Sequence, residues 1–235
     1  MHFYSDEEDM FMNQCVLGNF NEAIKLLNND PAQIDTYKVF KYICINGYLK
    51  AAMWLHSIKP TINAFRENTF IWSCADGQLK IAKWLLSITP TINISMYNEM
   101  AFRYACEHGH LNVAKWLLKL KPTINVSADN EYAFRWACHN GKLYVAKWLL
   151  AIKPTINISA DNDWAYRCSC KTYHNHVFKW LQSLHPFKYA LGIKPSGVIT
   201  NANRIYSDFE TNTITLIAML NKKNFNVNIA NLLTL

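Results

Sequence analysis

Charge is scarce in this chain. Only 17% of its 235 residues are Asp, Glu, Lys or Arg, whereas 51% are hydrophobic. That balance excludes intrinsic disorder, which needs the opposite ratio. Long apolar runs are missing too. No stretch reaches about 18 consecutive apolar residues, so no membrane-spanning helix and no membrane partner are expected. The opening Met-His-Phe-Tyr-Ser-Asp-Glu-Glu-Asp has no basic segment followed by an apolar one, and does not read as a secretory leader. Seven cysteines in such a chain imply reduced thiols and an intracellular setting. There is no Gly-rich phosphate loop, no His-Glu-x-x-His and no nucleophile with an orienting pair. Neither an enzyme nor a cofactor is therefore expected.

Glycine and proline are few, and they are placed with a regularity that carries the main signal. Proline falls at Pro31, Pro60, Pro90, Pro122, Pro154 and Pro186, at steps of 29, 30, 32, 32 and 32. Cysteine takes the same five steps through Cys15, Cys44, Cys74, Cys106, Cys138 and Cys170. Tryptophan recurs at Trp54, Trp84, Trp116, Trp148 and Trp180, and glycine at Gly18, Gly47, Gly77, Gly109 and Gly141. Four residue types sharing one period define an internal repeat. Six copies are expected at about 6–35, 36–64, 65–93, 97–125, 129–157 and 161–187, followed by a C-terminal cap or tail over 188–235 in which the repeat fades.

Each copy parses into two short helices. Phe102, Ala105 and Cys106 lie three and four apart and share one face. Gly109 ends that helix, because glycine tolerates a left-handed stop. Leu111, Ala114, Leu117 and Leu118 form a second apolar stripe, which Pro122 terminates. The Thr-Ile-Asn-Val-Ser that follows reads as extended, and Asp129 or Asn130 as the cap of the next first helix. A helix pair of about 30 residues cannot bury its own apolar face, so neighbours must stack. The fold class is all-α: a solenoid of antiparallel helix pairs with projecting loops and an atypical C-terminal cap.

These residues resemble the ankyrin repeat. The likeness runs from the Ala-Cys pair through Gly-His-Leu at Gly109–Leu111 to Val-Ala-Lys-Trp-Leu-Leu at Val113–Leu118, with Ile124–Asn125 similar to the family's Val-Asn. It covers about residues 6–187. The family's Thr-Pro-Leu-His opening is replaced by Tyr132–Arg135, and its Gly-Ala-Asp by Lys121–Thr123. The Lys-Trp-Leu-Leu style with a Pro-Thr-Ile-Asn linker looks like the degenerate ankyrin proteins of giant amoeba-infecting viruses.

The resemblance implies a non-catalytic protein–protein interaction scaffold, monomeric and, if viral, acting on a host protein in the host cytoplasm. The first helices and projecting loops would form the recognition surface. Positions that vary between copies are the candidate contacts: Asp76, Glu107, His108, His139 and Asn140 at the ends of the first helices, and Met96, Tyr97, Asp129, Asn130 and Asp161 in the loops. Arg103, Arg135 and Arg167 stand where the family has a histidine, and are expected to bond carbonyls of the adjacent loop. The Trp column is expected to pack between repeats, with Trp116→Ala or Trp148→Ala costing ~3–5 kcal/mol.

A second reading comes from charge. The net charge is +7, and Lys83, Lys115, Lys147 and Lys179 form a ladder. Were that ladder to share a surface with the arginines, nucleic acid or an acidic ligand could bind. Cys168, Cys170, His174 and His176 superficially suggest zinc. The repeat register assigns them instead to ordinary column positions, so no metal is expected.

Overall fold

The computed structural model describes residues 5–29, 31–172 and 174–184. The chain divides into a unit Met1–Lys179 and a unit Trp180–Leu235. Tyr173, the expected tail at 188–235 and Pro186 lie outside the described residues, as does the side chain of Cys170.

The described residues hold twelve α-helices and no strand. They run as α1 (Asp6–Leu17), α2 (Phe20–Asn29), α3 (Thr36–Ile45), α4 (Leu49–Ile58), α5 (Arg66–Ala75), α6 (Leu79–Ile88), α7 (Met96–His108), α8 (Leu111–Leu120), α9 (Ala128–His139), α10 (Leu143–Ile152), α11 (Ala160–Lys171) and α12 (Asn175–Leu184), with a 3-10 turn at Pro60–Phe65. Successive pairs form the six copies. First helices pack on first helices, α5 on α7, α7 on α9 and α9 on α11.

The columns explain the stack. Phe11, Phe40, Phe70, Phe102 and Phe134 are fully buried, as are Cys15, Cys44, Cys74, Cys106 and Cys138. Each first helix thus inserts a ring and a small thiol between its neighbours. Trp54, Trp84, Trp116 and Trp148 each lean on the phenylalanine of the preceding copy, 6.2–6.5 Å between ring centres. They are half-buried, however, and not sealed in the core. Their indoles close the seam between layers, while Leu55, Leu85, Leu117 and Leu149 fill the interior. Trp180 is half-buried on α12.

Gly109 adopts φ 91° and its N–H reaches the carbonyls of Ala105 and Cys106, closing α7. A Cβ there would sit 2.8 Å from both the Lys142 chain and the Tyr144 hydroxyl of the next copy. Tyr144 in turn donates to the Gly109 carbonyl at 2.6 Å. Glycine is therefore needed both for the turn and for the approach of the neighbour.

The first copy carries a different N-terminus. Ser5 and Glu8 form a reciprocal capping box on α1, and four acidic residues lie in its first turn, favourable at the positive end of the helix dipole. Glu8 also accepts from the Asp35 N–H at 3.1 Å and from Lys38 at 2.8 Å. Burial alone would raise its pKa. The Lys38 ammonium and the Asp35 and Ser5 amides outweigh that and hold it below the ordinary value.

The segment after each second helix corrects the expectation of an extended linker. In the fourth copy Ile124 N–H donates back to Lys121 O at 3.2 Å, and Ala128 N–H to Asn125 O at 3.0 Å. Asn125 Oδ1 accepts from Ser127 N–H at 3.1 Å, an Asx turn that outcompetes the β-branched preference for extension. Asn93 and Asn157 repeat it with Ser95 and Ser159.

Candidate functional site

Three consecutive residues before each of the later first helices are left-handed: Tyr97, Asn98 and Glu99; Asp129, Asn130 and Glu131; Asp161, Asn162 and Asp163, all with φ between 51° and 63°. Each triplet is one left-handed turn, closed by a bond such as Glu131 N–H to Ser127 O at 3.1 Å. Left-handed backbone costs an L-residue roughly 1–2 kcal/mol, least for Asn and Asp. Asparagine occupies the middle of all three turns. Asp129 and Asn130 therefore do not cap the following helix as the sequence suggested. Their backbones form the turn that precedes it.

The arginine column holds these turns. Arg103 donates from Nε to Asn98 O at 2.8 Å, from Nη2 to Tyr97 O at 3.1 Å, and from Nη1 to Asp129 Oδ2 of the next copy at 2.6 Å. Arg135 repeats the pattern with Asn130 O at 2.7 Å, Asp129 O at 3.3 Å and Asp161 Oδ2 at 3.1 Å. Arg167 reaches Asp161 O at 3.2 Å. The carbonyls belong to the arginine's own copy, and the carboxylate to the next one. The turns leave Tyr97, Asn98, Asp129, Asn130, Asp161 and Asn162 exposed, with Met96 half-buried beside them.

The other ends of the first helices carry the second group of candidates. His108 Nδ1 lies 2.8 Å from Ala75 O, Asn140 Nδ2 donates to Glu107 O at 3.1 Å, and Thr172 Oγ1 to His139 O at 3.2 Å. Each side chain satisfies a helix-end carbonyl of the preceding copy. His108 and Asn140 thus spend a polar atom on the stack. Asp76 is half-buried after α5. Glu107 accepts from the Tyr132 hydroxyl at 2.7 Å. Burial and that carboxylate push the Tyr132 phenol far above its usual range. The two groups of candidates are separated by the length of a first helix, about 12 Å over eight residues.

Between them stands a feature that sequence reasoning missed. Trp72 and Tyr104 have ring centres 5.6 Å apart, Tyr104 and Tyr132 6.0 Å, Tyr132 and Trp136 5.5 Å, and Trp136 and Trp164 5.0 Å. These five rings make a continuous aromatic wall across four copies, on the outward face of the stacked first helices. Trp72 is 36% exposed and the others are half-buried. Arg103 lies 4.5 Å over Tyr132, Arg135 5.2 Å over Trp164, and Lys41 5.8 Å over Trp72. The signal was legible: an aromatic column at Tyr42, Trp72, Tyr104 and Trp136, two residues before each cysteine.

The remaining groups are accounted for by the stack. His176 Nε2 lies 3.0 Å from Gly141 O, and the His174 ring packs against Gly141. No group of three or more potential ligands is clustered among the described residues. Burial pushes the Cys15 thiol up to about 12, and Cys44, Cys74, Cys106 and Cys138 higher still, so these thiols stay protonated and poor as nucleophiles. Lys83, Lys115, Lys147 and Lys179 are exposed on the second helices, whereas the arginines lie on the first. No helix among the described residues is long and apolar enough to cross a membrane.

Comparison with known proteins places this architecture. A family model described as ankyrin repeats (3 copies) matches residues 11–128 and again 89–162. The X-ray structure of an ankyrin repeat family protein from Legionella pneumophila is similar at 25% identity and a TM-score of 0.49. It aligns over 74% of this chain and 54% of that one, so this chain spans about half its length. No curated protein matches.

Proposed function

This chain belongs to the ankyrin repeat family, whose members generally mediate protein–protein interaction, and from that premise we propose that it is a non-catalytic protein-binding scaffold. The observation that carries the reading is the aromatic wall from Trp72 to Trp164, flanked by Glu107 and Asp76 at one end of the first helices and by the left-handed turns at the other. Aromatic residues presented on a rigid frame are the usual anchors of protein interfaces. The Arg103 and Arg135 bonds to Asp129 and Asp161 hold the frame, and the turns leave Tyr97 and Asn130 exposed upon it. The Lys-Trp-Leu-Leu and Pro-Thr-Ile-Asn style supports the finer reading of a viral protein that engages a host protein in the host cytoplasm.

The nucleic-acid alternative loses its main support in the disposition of charge. It needed the lysine and arginine ladders on one surface, but they lie on different helices. Two guanidinium groups are already committed to Asp129 and Asp161.

Affinity capture tests the proposal. Purified chain should retain protein from a host lysate, and the charge reversal Glu107→Lys together with Trp72→Ala should abolish that retention while leaving the circular dichroism unchanged. Retention unaffected by both changes sinks the assignment of this face. Tight heparin binding that falls steeply between ~50 and 200 mM salt, with no protein captured, favours nucleic acid instead.

A further inference from the structure

The wall has a chemistry more specific than a generic apolar patch. Its rings offer flat faces. Among the described residues the indole N–H groups of Trp72, Trp136 and Trp164 and the hydroxyl of Tyr104 make no hydrogen bond to the protein. The surface therefore presents hydrogen-bond donors and flat faces, with few backbone acceptors, since the carbonyls of the first helices are spent inside the helices. An ordinary extended peptide brings an N–H at each residue and needs acceptors. A polyproline II segment brings none at its prolines. Its carbonyls are unpaired and project outward, and its pyrrolidine rings are compact and apolar.

Spacing bears on how such a segment would lie. Polyproline II rises ~3.1 Å per residue with three residues per turn, so one turn advances about 9.3 Å. Rings of successive copies follow one another at 5.0–6.0 Å. The segment would therefore lie along a continuous aromatic surface, and not in one pocket per copy. Charge then narrows the partner further. Arg103 and Arg135 are paired with carboxylates, and neither Asp76 nor Glu107 is in an ion pair among the described residues. Glu107 accepts from the Tyr132 hydroxyl and follows Tyr104 by three residues on α7, and the π faces of both rings are also electronegative. Arg103, Arg135 and Lys41 show that rings of this wall accept cations.

We propose that the wall from Trp72 to Trp164 binds a proline-rich peptide segment in the polyproline II conformation, bearing an arginine or lysine that reaches Glu107. The proposal rests on the scaffold reading and names its partner class.

Fluorescence anisotropy of labelled peptides on the full chain tests it. The probes are a decaproline flanked by arginine, a neutral decaproline, an apolar peptide without proline, and an oligo(dT) strand. The arginine-flanked decaproline should bind best, with the neutral one weaker by roughly threefold to tenfold and the proline-free peptide not bound. Trp136→Phe keeps a ring but removes the N–H, and should weaken binding by roughly threefold or more. Glu107→Gln keeps an acceptor for Tyr132 and should erase the preference for arginine without changing the thermal melt. Equal affinity for the proline-free peptide, or an arginine preference that survives Glu107→Gln, overturns the proposal. If no peptide binds while the chain still captures host protein, the polyproline assignment falls and the scaffold reading stands. If only oligo(dT) binds, both fall.

Discussion

Replacing Arg103 by lysine keeps the positive charge and removes the fork, and so asks what holds the left-handed turns. In the native chain the guanidinium donates to Asn98 O, Tyr97 O and Asp129 Oδ2, and its side chain is only 7% exposed, against 53% for Asp129. A lysine can serve one of these acceptors. Losing two bonds to carbonyls at about 1 kcal/mol each gives about 2 kcal/mol of destabilisation. The exposed Asp129 contributes less, and Asp129→Asn alone should cost ~0.5 kcal/mol. Urea unfolding of the two single variants and the double variant closes a mutant cycle. A coupling of about 0.5 kcal/mol, beside a large Arg103 cost, is expected. The reasoning is refuted if Arg103→Lys costs less than Asp129→Asn. The inter-copy ion pair, and not the clasp on the turn, would then be the stabilising contact.

Three further outcomes follow from the same geometry. Trp148→Ala should cost ~2–4 kcal/mol, less than the ~3–5 kcal/mol of a fully buried aromatic, because the indole is half-buried against Phe102; thermal unfolding by circular dichroism reads it. Asn130→Gly should be neutral or mildly stabilising, whereas Asn130→Ala should destabilise by about 1 kcal/mol, since only the former tolerates φ 54°; equal effects in urea titration would contradict the left-handed turn. Glu8 has a pKa below its ordinary 4.5, so its stabilising contacts are complete above that value and are lost as pH falls through the depressed one. Stability measured from pH 7 down to 3 should therefore fall more steeply in the native chain than in Glu8→Gln, which should itself cost about 1 kcal/mol at neutral pH.

The helix pairs were legible because burial repeats with the sequence. A column that must be small, aromatic or left-handed in each copy shows itself by recurrence, and Cys106, Phe102 and Gly109 are such positions. Asp129 was harder to read, because aspartate before a helix ordinarily caps it. A partner 26 residues earlier decides its role instead. That coupling is visible within the chain once the structure supplies the rule. Arg103 precedes Asp129 and Arg135 precedes Asp161 by the same interval. Where the column holds the buried Ile71, the residue 26 later is Tyr97, with no carboxylate. The third and fourth copies thus join without this rung, and Tyr97 keeps a costlier left-handed residue exposed at the loop edge. The aromatic wall escaped notice for the opposite reason. Its rings come from two columns, one two residues before the cysteine and one six before, and neither column is complete. Only the stacking of α7, α9 and α11 turns Tyr104, Tyr132, Trp136 and Trp164 into neighbours, so the wall belongs to the assembled solenoid and not to any single copy.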